Sequence, residues 1–308
     1  MDSPGIALAP FSEDGLIKAV RDAGARVVEP RDAHGLVWTD PSDPEGLKQT
    51  LEASPASWVQ LPFAGIEAFV AAGAIDRDRT WTCAKGIYGH SCAEHAIALM
   101  LAAGRQLHHH VRARKWEPAG LGRPETRLKD KSIVVLGTGG IGTALVPMAT
   151  AFGATVIGVN RSGRPLEGSI ETVTSDRLGD VAGRADFLVL AAAVTPETKG
   201  VVDAEVLGSL PGHAWVVNVA RGVLIDTSAL VEALTGGLIG GAALDVTDPE
   251  PLPEDHPLWE LDNVIITPHV ANTWDMALPE LTDLVARNAA AFASGRPLEG
   301  LVDVEAGY

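Results

Sequence analysis

From residue 132 the chain reads Ser-Ile-Val-Val-Leu, and similar short apolar runs return at 155–159, 187–190, 214–218, 242–245 and 264–267. Runs of that length without polar alternation predict strands buried on both faces. Segments of helical or loop character separate them; the clearest helix is 141–151, closed by Gly153. Strands alternating with helices predict an α/β fold with a doubly wound parallel sheet.

The first hundred residues carry the same alternation on a smaller scale. Strands are expected at 6–9, 26–28 and 56–61, a helix at 14–23 ending near Gly24, and a loop at 62–65. Residues 91–107 place Ala93, Ile97 and Leu101 at helical spacing, long enough for a connecting helix. A last helix is expected at 280–293, before Gly295-Arg296-Pro297.

At 308 residues the chain is long for one core, so two domains are expected. The formal charge of -16 sets the surface against nucleic acid and anionic membranes, which it would repel. Cys83 and Cys92 are the only cysteines, which argues against structural zinc or a disulfide framework, and no metal is expected. No apolar run reaches membrane-spanning length, and the acidic start Met1-Asp2-Ser3 is unlike a signal peptide. A cytoplasmic protein is the expectation.

Gly137-Thr138-Gly139-Gly140-Ile141-Gly142 lies between a predicted strand and a predicted helix. In that setting Gly137 permits a tight turn, Gly139 lets backbone approach a pyrophosphate, and Gly142 lets helix and strand pack closely. The helix start adds amide donors and partial positive charge. After the next strand, where a carboxylate would hold the ribose of NAD, stand Asn160, Arg161, Ser162 and Arg164. Two arginines and a serine suit a 2′-phosphate, so NADPH is favoured over NAD.

Three further residues suit the reduction of a 2-oxo acid. Arg221 follows a predicted strand, Glu250 lies in Asp248-Pro249-Glu250-Pro251-Leu252-Pro253, and His269 follows Thr267-Pro268. An anionic substrate calls for a fixed guanidinium, and a carbonyl becoming an alkoxide calls for a proton donor. The donor imidazole in turn calls for a carboxylate to hold and aim it.

These segments, with Thr195-Pro196-Glu197-Thr198-Lys199-Gly200, 219–226, 241–246, His256-Pro257-Leu258-Trp259 and 263–271, resemble the D-isomer-specific 2-hydroxyacid dehydrogenase family. The likeness covers roughly residues 130–275, and is looser before that, through Ala93-Glu94-His95 and the loop near Gly65. It implies a Rossmann-type dinucleotide-binding domain at 103–274, inserted into a smaller flavodoxin-like substrate domain of 1–102 and 275–308. It also implies that Arg221 binds the substrate carboxylate, that His269 protonates the new alkoxide, and that Glu250 pairs with His269. Asp245 matches a position near the nicotinamide carboxamide, and Thr198 and Ala220 fall among the cofactor contacts. Backbone amides of Ala64 and Gly65 are expected to grip the carboxylate as well.

The implied substrate is a small 2-oxo acid such as glyoxylate or hydroxypyruvate. A 3-phosphoglycerate dehydrogenase is a second reading, ranked lower because the N-terminal part shows no phosphate-binding cluster and no regulatory domain follows. A dinucleotide-sensing binding protein is a third, and formate dehydrogenase is disfavoured by Glu250. The likeness implies a homodimer, its interface built near Arg112, Arg114, Lys115 and Trp116. Two departures stand out: Ala192-Ala193-Val194 replaces a common Leu-Pro-Leu, and Tyr88 stands where many members have asparagine. His108-His109-His110 splay around a helix and are expected to be solvated, not metal-binding. Trp38, Trp58, Trp81 and Trp274 are expected to be packing residues.

Overall fold

The computed structural model describes residues 3–116 and 124–305. The chain forms two compact units, Met1–Tyr88 with Trp274–Tyr308, and Gly89–Thr273. The first begins β1 (Gly5–Ala9), α1 (Asp14–Asp22), β2 (Arg26–Val27), β3 (Gly35–Trp38) and α2 (Pro44–Glu52). It continues with β4 (Trp58–Gln60), α3 (Glu67–Ala71) and β5 (Thr80–Thr82). The five strands are parallel in the order β2-β1-β3-β4-β5, the flavodoxin-like order.

Neither β3 nor β5 was expected from the sequence. Gly-Leu-Val-Trp and Thr-Trp-Thr are too short to show a period, and it is their parallel pairing, β3 with β1 and β4 and β5 with β4, that marks them as strands. Gly35 is needed there because a Cβ would stand 2.7 Å from the Trp58 ring. Trp38, Trp58 and Trp81 are buried, as expected of packing residues. The Trp58 indole donates to Thr82 Oγ1 at 2.8 Å, and Thr82 donates to Gln60 Oε1 at 2.8 Å, so these three side chains bond one another within the core, whereas the buried Trp38 indole nitrogen has no partner among the described residues.

The second unit opens with α4 (Gly89–Gly104) and α5 (Leu107–Ala113). There follow β6 (Ser132–Leu136), α6 (Gly140–Ala151), β7 (Thr155–Asn160), β8 (Glu171–Thr174), α7 (Leu178–Ala182) and β9 (Phe187–Leu190). The remainder is α8 (Ala204–Ser209), β10 (Trp215–Asn218), α9 (Thr227–Thr235), β11 (Gly241–Leu244) and β12 (Val264–Ile266). Seven parallel strands lie in the order β12-β11-β10-β9-β6-β7-β8, the doubly wound sheet that the alternation predicted. Val134, Leu136, Leu188 and Leu190 pack in one core, while Ile133, Val135, Phe187 and Val189 pack in another, so both sheet faces are covered.

The first junction falls at 88–89 instead of 102–103, because α4 packs Ala93, Ile97 and Met100 into the core of the second unit. The final helix, α10 (Trp274–Ala293), starts before the expected residue 280 and carries Pro279 within it. A proline in the second turn removes a single helical hydrogen bond, which the long apolar stripe of Leu281, Leu284 and Val285 outweighs. In the first unit Asn288 of α10 donates to Gln60 Oε1 at 2.8 Å, fastening the helix to β4.

Candidate functional site

Every cofactor or catalytic candidate between Gly137 and His269 leaves the carboxyl end of a strand of the seven-stranded sheet. Strand order reverses between β6 and β9, the place where ligands of such sheets collect. Gly137 sits there with φ +101°, and a Cβ on it would lie 2.5 Å from the Ala191 carbonyl. A Cβ on Gly142 would stand 2.3 Å from the Gly137 oxygen. By contrast, nothing lies within 4 Å of the Cβ position of Gly139, just before α6 begins. Two glycines thus tighten the turn and the third leaves space beside a helix start, which fits a pyrophosphate. Ile141 packs its side chain against the core beneath, and Gly140 abuts Gly89.

Asn160 holds the loop after β7 together. Its Nδ2 donates to Thr138 Oγ1 at 2.9 Å and to the Arg164 carbonyl at 2.8 Å. Its Oδ1 accepts from the Ser162 amide at 3.1 Å and the Ser162 hydroxyl at 3.2 Å. The amide is therefore spent on the loop, leaving Arg161, Ser162 and Arg164 exposed as the groups that can meet an anion. Thr198 likewise caps its own turn, accepting from the Thr195 amide at 2.7 Å and donating to the Ala193 carbonyl at 2.8 Å.

The turn that carries Arg221 is held by a buried asparagine to which the sequence reading gave no role. Asn218 ends β10, donates to the Arg221 carbonyl at 2.9 Å and accepts from the Ala220 amide at 3.0 Å. A fully buried polar residue closing an apolar strand was the available signal. Gly222 follows, and a Cβ there would be 2.0 Å from the Thr247 carbonyl carbon. This contact seats the arginine turn against the segment leading to Glu250. That segment forms no regular element; its carbonyls are anchored by Thr227 on Asp248 at 2.8 Å, Thr247 on Pro249 at 2.9 Å, and the Trp259 indole on Pro253 at 2.9 Å.

Glu250 and His269 meet, with Nδ1 2.5 Å from Oε1. The carboxylate can only accept, so Nδ1 carries the proton and Nε2 is left for a substrate. His269 has φ +54°, the left-handed region that costs a non-glycine residue roughly 1–2 kcal/mol. Asp245 supplies the compensation. It is buried; its oxygens accept from the Val270 and Ala271 amides at 2.9 Å each and from the Thr267 hydroxyl at 2.6 Å. The His269 amide donates to the Asp245 carbonyl at 2.8 Å. Burial raises the Asp245 carboxyl, but hydrogen bonds from His95, Thr267 and the two amides outweigh it and hold the group at about 2. Its carboxylate is thus turned into the loop that carries His269.

In the first unit, the Leu61-Pro62-Phe63-Ala64-Gly65 loop leaves the Ala64 and Gly65 amides without a hydrogen bond among the described residues. Tyr88 buttresses it: the buried phenol donates to the Pro62 carbonyl at 2.7 Å, and its ring centre lies 5.5 Å from that of Phe63. The ring centre of Trp274 lies 6.1 Å from that of Phe63. An asparagine at 88 could neither stack on Phe63 nor fill this space, so the departure from the common pattern shapes the loop.

The three consecutive histidines are not uniformly solvated as expected. His110 is exposed and reaches Glu125 at 3.0 Å, whereas His108 is half-buried with its ring edge-on to Trp215 at 5.8 Å. Burial, then His109 and Arg112, push the His108 imidazole down to about 4. No cluster of three metal-type ligands occurs among the described residues, and no helix there is long and apolar enough to cross a membrane.

Comparison with known proteins agrees with this geometry. A family model described as D-isomer specific 2-hydroxyacid dehydrogenase, NAD binding domain, matches residues 97–271. A glyoxylate reductase of Thermofilum pendens is 31% identical over 308 residues, covering 96% of this chain and 86% of that relative. A crystal structure of a D-isomer specific 2-hydroxyacid dehydrogenase family protein from Aeromonas salmonicida superposes with a TM-score of 0.85 at 29% identity, covering 98% of this chain and 99% of that one. The NADPH-dependent glyoxylate/hydroxypyruvate reductase of Sinorhizobium meliloti, solved with NADP and sulfate, has a TM-score of 0.81 at 26% identity, covering 99% of this chain and 100% of its own.

Proposed function

Because the chain belongs to the D-isomer specific 2-hydroxyacid dehydrogenase family, we propose that it reduces a small 2-oxo acid, glyoxylate or hydroxypyruvate, with NADPH. The observation that carries this is the 2.5 Å contact between Glu250 and His269, set on the same sheet end as Arg221 and the glycine loop. A binding protein that only sensed the cofactor would have no use for an aimed proton donor.

Gly137, Gly139 and Gly142 would hold the pyrophosphate, and Arg161, Ser162 and Arg164 the 2′-phosphate. When bound, the reduced nicotinamide supplies the hydride. Arg221 pairs with the substrate carboxylate and polarises the 2-oxo group, and within the first unit the unbonded amides of Ala64 and Gly65 suit an anion. His269 gives the proton on Nε2 to the oxygen that becomes the hydroxyl. Glu250 stays on Nδ1 throughout, fixing the ring and favouring the doubly protonated form that gives up the proton; water restores that proton after turnover. Asp245 acts through the loop, holding His269 in place.

Reduction of a panel of 2-oxo acids, assayed with NADH and NADPH in parallel, tests this reading. Highest kcat/KM is expected for glyoxylate or hydroxypyruvate with NADPH; NADPH binding without turnover of any 2-oxo acid would refute it. A homodimer also belongs to this reading. Val111 and Trp116 are 76% and 94% exposed beside Arg112, more apolar surface than a solvated helix end needs. Light scattering would decide that point. Cys83 and Cys92, neither in a disulfide, are in keeping with the reducing cytoplasm.

A further inference from the structure

Resting on the reductase reading, we propose that His95 is a positioning residue for His269, holding the catalytic loop from the first helix of the second unit. Its Nε2 stands 3.0 Å from Thr267 Oγ1 and 3.3 Å from Asp245 Oδ1. Thr267 in turn donates its hydroxyl hydrogen to Asp245 Oδ1 at 2.6 Å. A hydroxyl has one proton, and this one is committed, so Oγ1 accepts and His95 Nε2 carries the hydrogen. That N–H is shared between the hydroxyl and the carboxylate, closing a cycle of three side chains.

What the cycle holds is the backbone around His269. The amides of Val270 and Ala271 end on the Asp245 carboxylate, and the amide of His269 ends on the Asp245 carbonyl. Thr267, Asp245 and the three amides all belong to the segments that follow β11 and β12. His95 alone among the described groups in this cluster comes from elsewhere, the second turn of α4. The start of the same helix is seated firmly, since a Cβ on Gly89 would lie 2.4 Å from the Gly140 carbonyl oxygen. A rigid helix resting on the start of α6 therefore holds the loop that presents the proton donor.

A left-handed histidine persists only where its surroundings over-determine it. Without His95, the Thr267 hydroxyl is free to rotate and Asp245, 2% exposed, loses a donor it has no water to replace. The loop then relaxes, and a misplacement of about 1 Å in a catalytic group costs on the order of 10²-fold in rate. The glycine loop and residues 160–164 stand outside this cycle, so the pyrophosphate and 2′-phosphate contacts, and most of the cofactor affinity, are retained.

The test compares His95→Leu, His95→Gln and Thr267→Val in the full chain. Turnover, the NADPH dissociation constant and amide exchange at Val270 and Ala271 are measured for each. His95→Leu is expected to lower kcat by about tenfold or more and raise exchange at both amides about tenfold, with NADPH affinity within about threefold. His95→Gln, which keeps an N–H donor, is expected to recover most of both losses. Thr267→Val should reproduce them, and adding His95→Leu to it should cost little more, as members of one unit behave. Unchanged kcat and exchange in His95→Leu, or a loss that glutamine leaves unrecovered, would overturn the proposal. If the leucine variant does not fold, wild-type exchange and turnover in Thr267→Val would overturn it equally. Should the native chain reduce no 2-oxo acid, the reductase reading fails, while amide exchange still decides whether His95 holds the loop.

Discussion

Gly222 and Thr247 touch so closely that a Cβ on Gly222 would fall 2.0 Å from the Thr247 carbonyl oxygen. The overlap is with backbone, so no side-chain rotation relieves it. Gly222→Ala is expected to push apart the arginine turn and the segment bearing Glu250. Overpacking of this kind costs about 1–3 kcal/mol of stability, and a displaced catalytic group costs roughly 10²-fold in kcat. Thermal melting and steady-state kinetics on one preparation check both, and wild-type values for both would contradict the packing argument.

Removing the proton donor should separate chemistry from binding. His269→Ala is expected to lower turnover by ~10²–10⁴ while NADPH still binds. Glu250→Gln should lower kcat by less, since the ring keeps its loop but loses its charged partner. Cofactor fluorescence titration beside turnover measures the two effects separately.

The proposed 2′-phosphate site rests on the exposed cations after β7. Arg161→Ala and Arg164→Ala each remove a charge-assisted hydrogen bond worth roughly 1.5–3 kcal/mol, or about ten- to a hundredfold in NADPH affinity. NADH affinity should change little. Equal losses for both cofactors would show that the loop does not read the 2′-phosphate.

Much of this was legible in the chain, and what was missed has a common cause. Six of the seven strands of the larger sheet are short apolar runs visible by eye, and the glycine loop announces itself by its place between strand and helix. β8 (Glu-Thr-Val-Thr) escaped because a single valine among polar residues makes no apolar run. Glu250, His269 and Arg221 could be picked out because each residue type has a chemical use. Asn218 and His95 could not, because a positioning residue is defined by the atoms it touches, and those lie far away in sequence. The last helix starts six residues earlier than expected because its apolar stripe carries it through Pro279.

Acid should weaken the fold in two separate windows. His108 is held neutral, its folded value of about 4 lying below the ordinary 6.5, so stability falls as pH drops from about 6.5 toward 4. Asp245 has the opposite charge type: its folded value of about 2 lies below 3.8, so its contribution is complete above 3.8 and lost as pH falls toward 2. That contribution is about 2 kcal/mol. Urea unfolding across pH 7 to 3 should show His108→Leu flattening the upper window and Asp245→Asn the lower. Identical pH profiles for the native chain and both variants would refute these environments.

The backbone at residue 269 would be more comfortable with almost no side chain at all. Selection for folding alone would place glycine or asparagine where φ is +54°. An imidazole kept there is a compromise in which durability yields to reactivity. His269→Asn should therefore give an enzyme that melts higher than the native chain and does nothing, the signature of a residue retained for what it does rather than for what it supports.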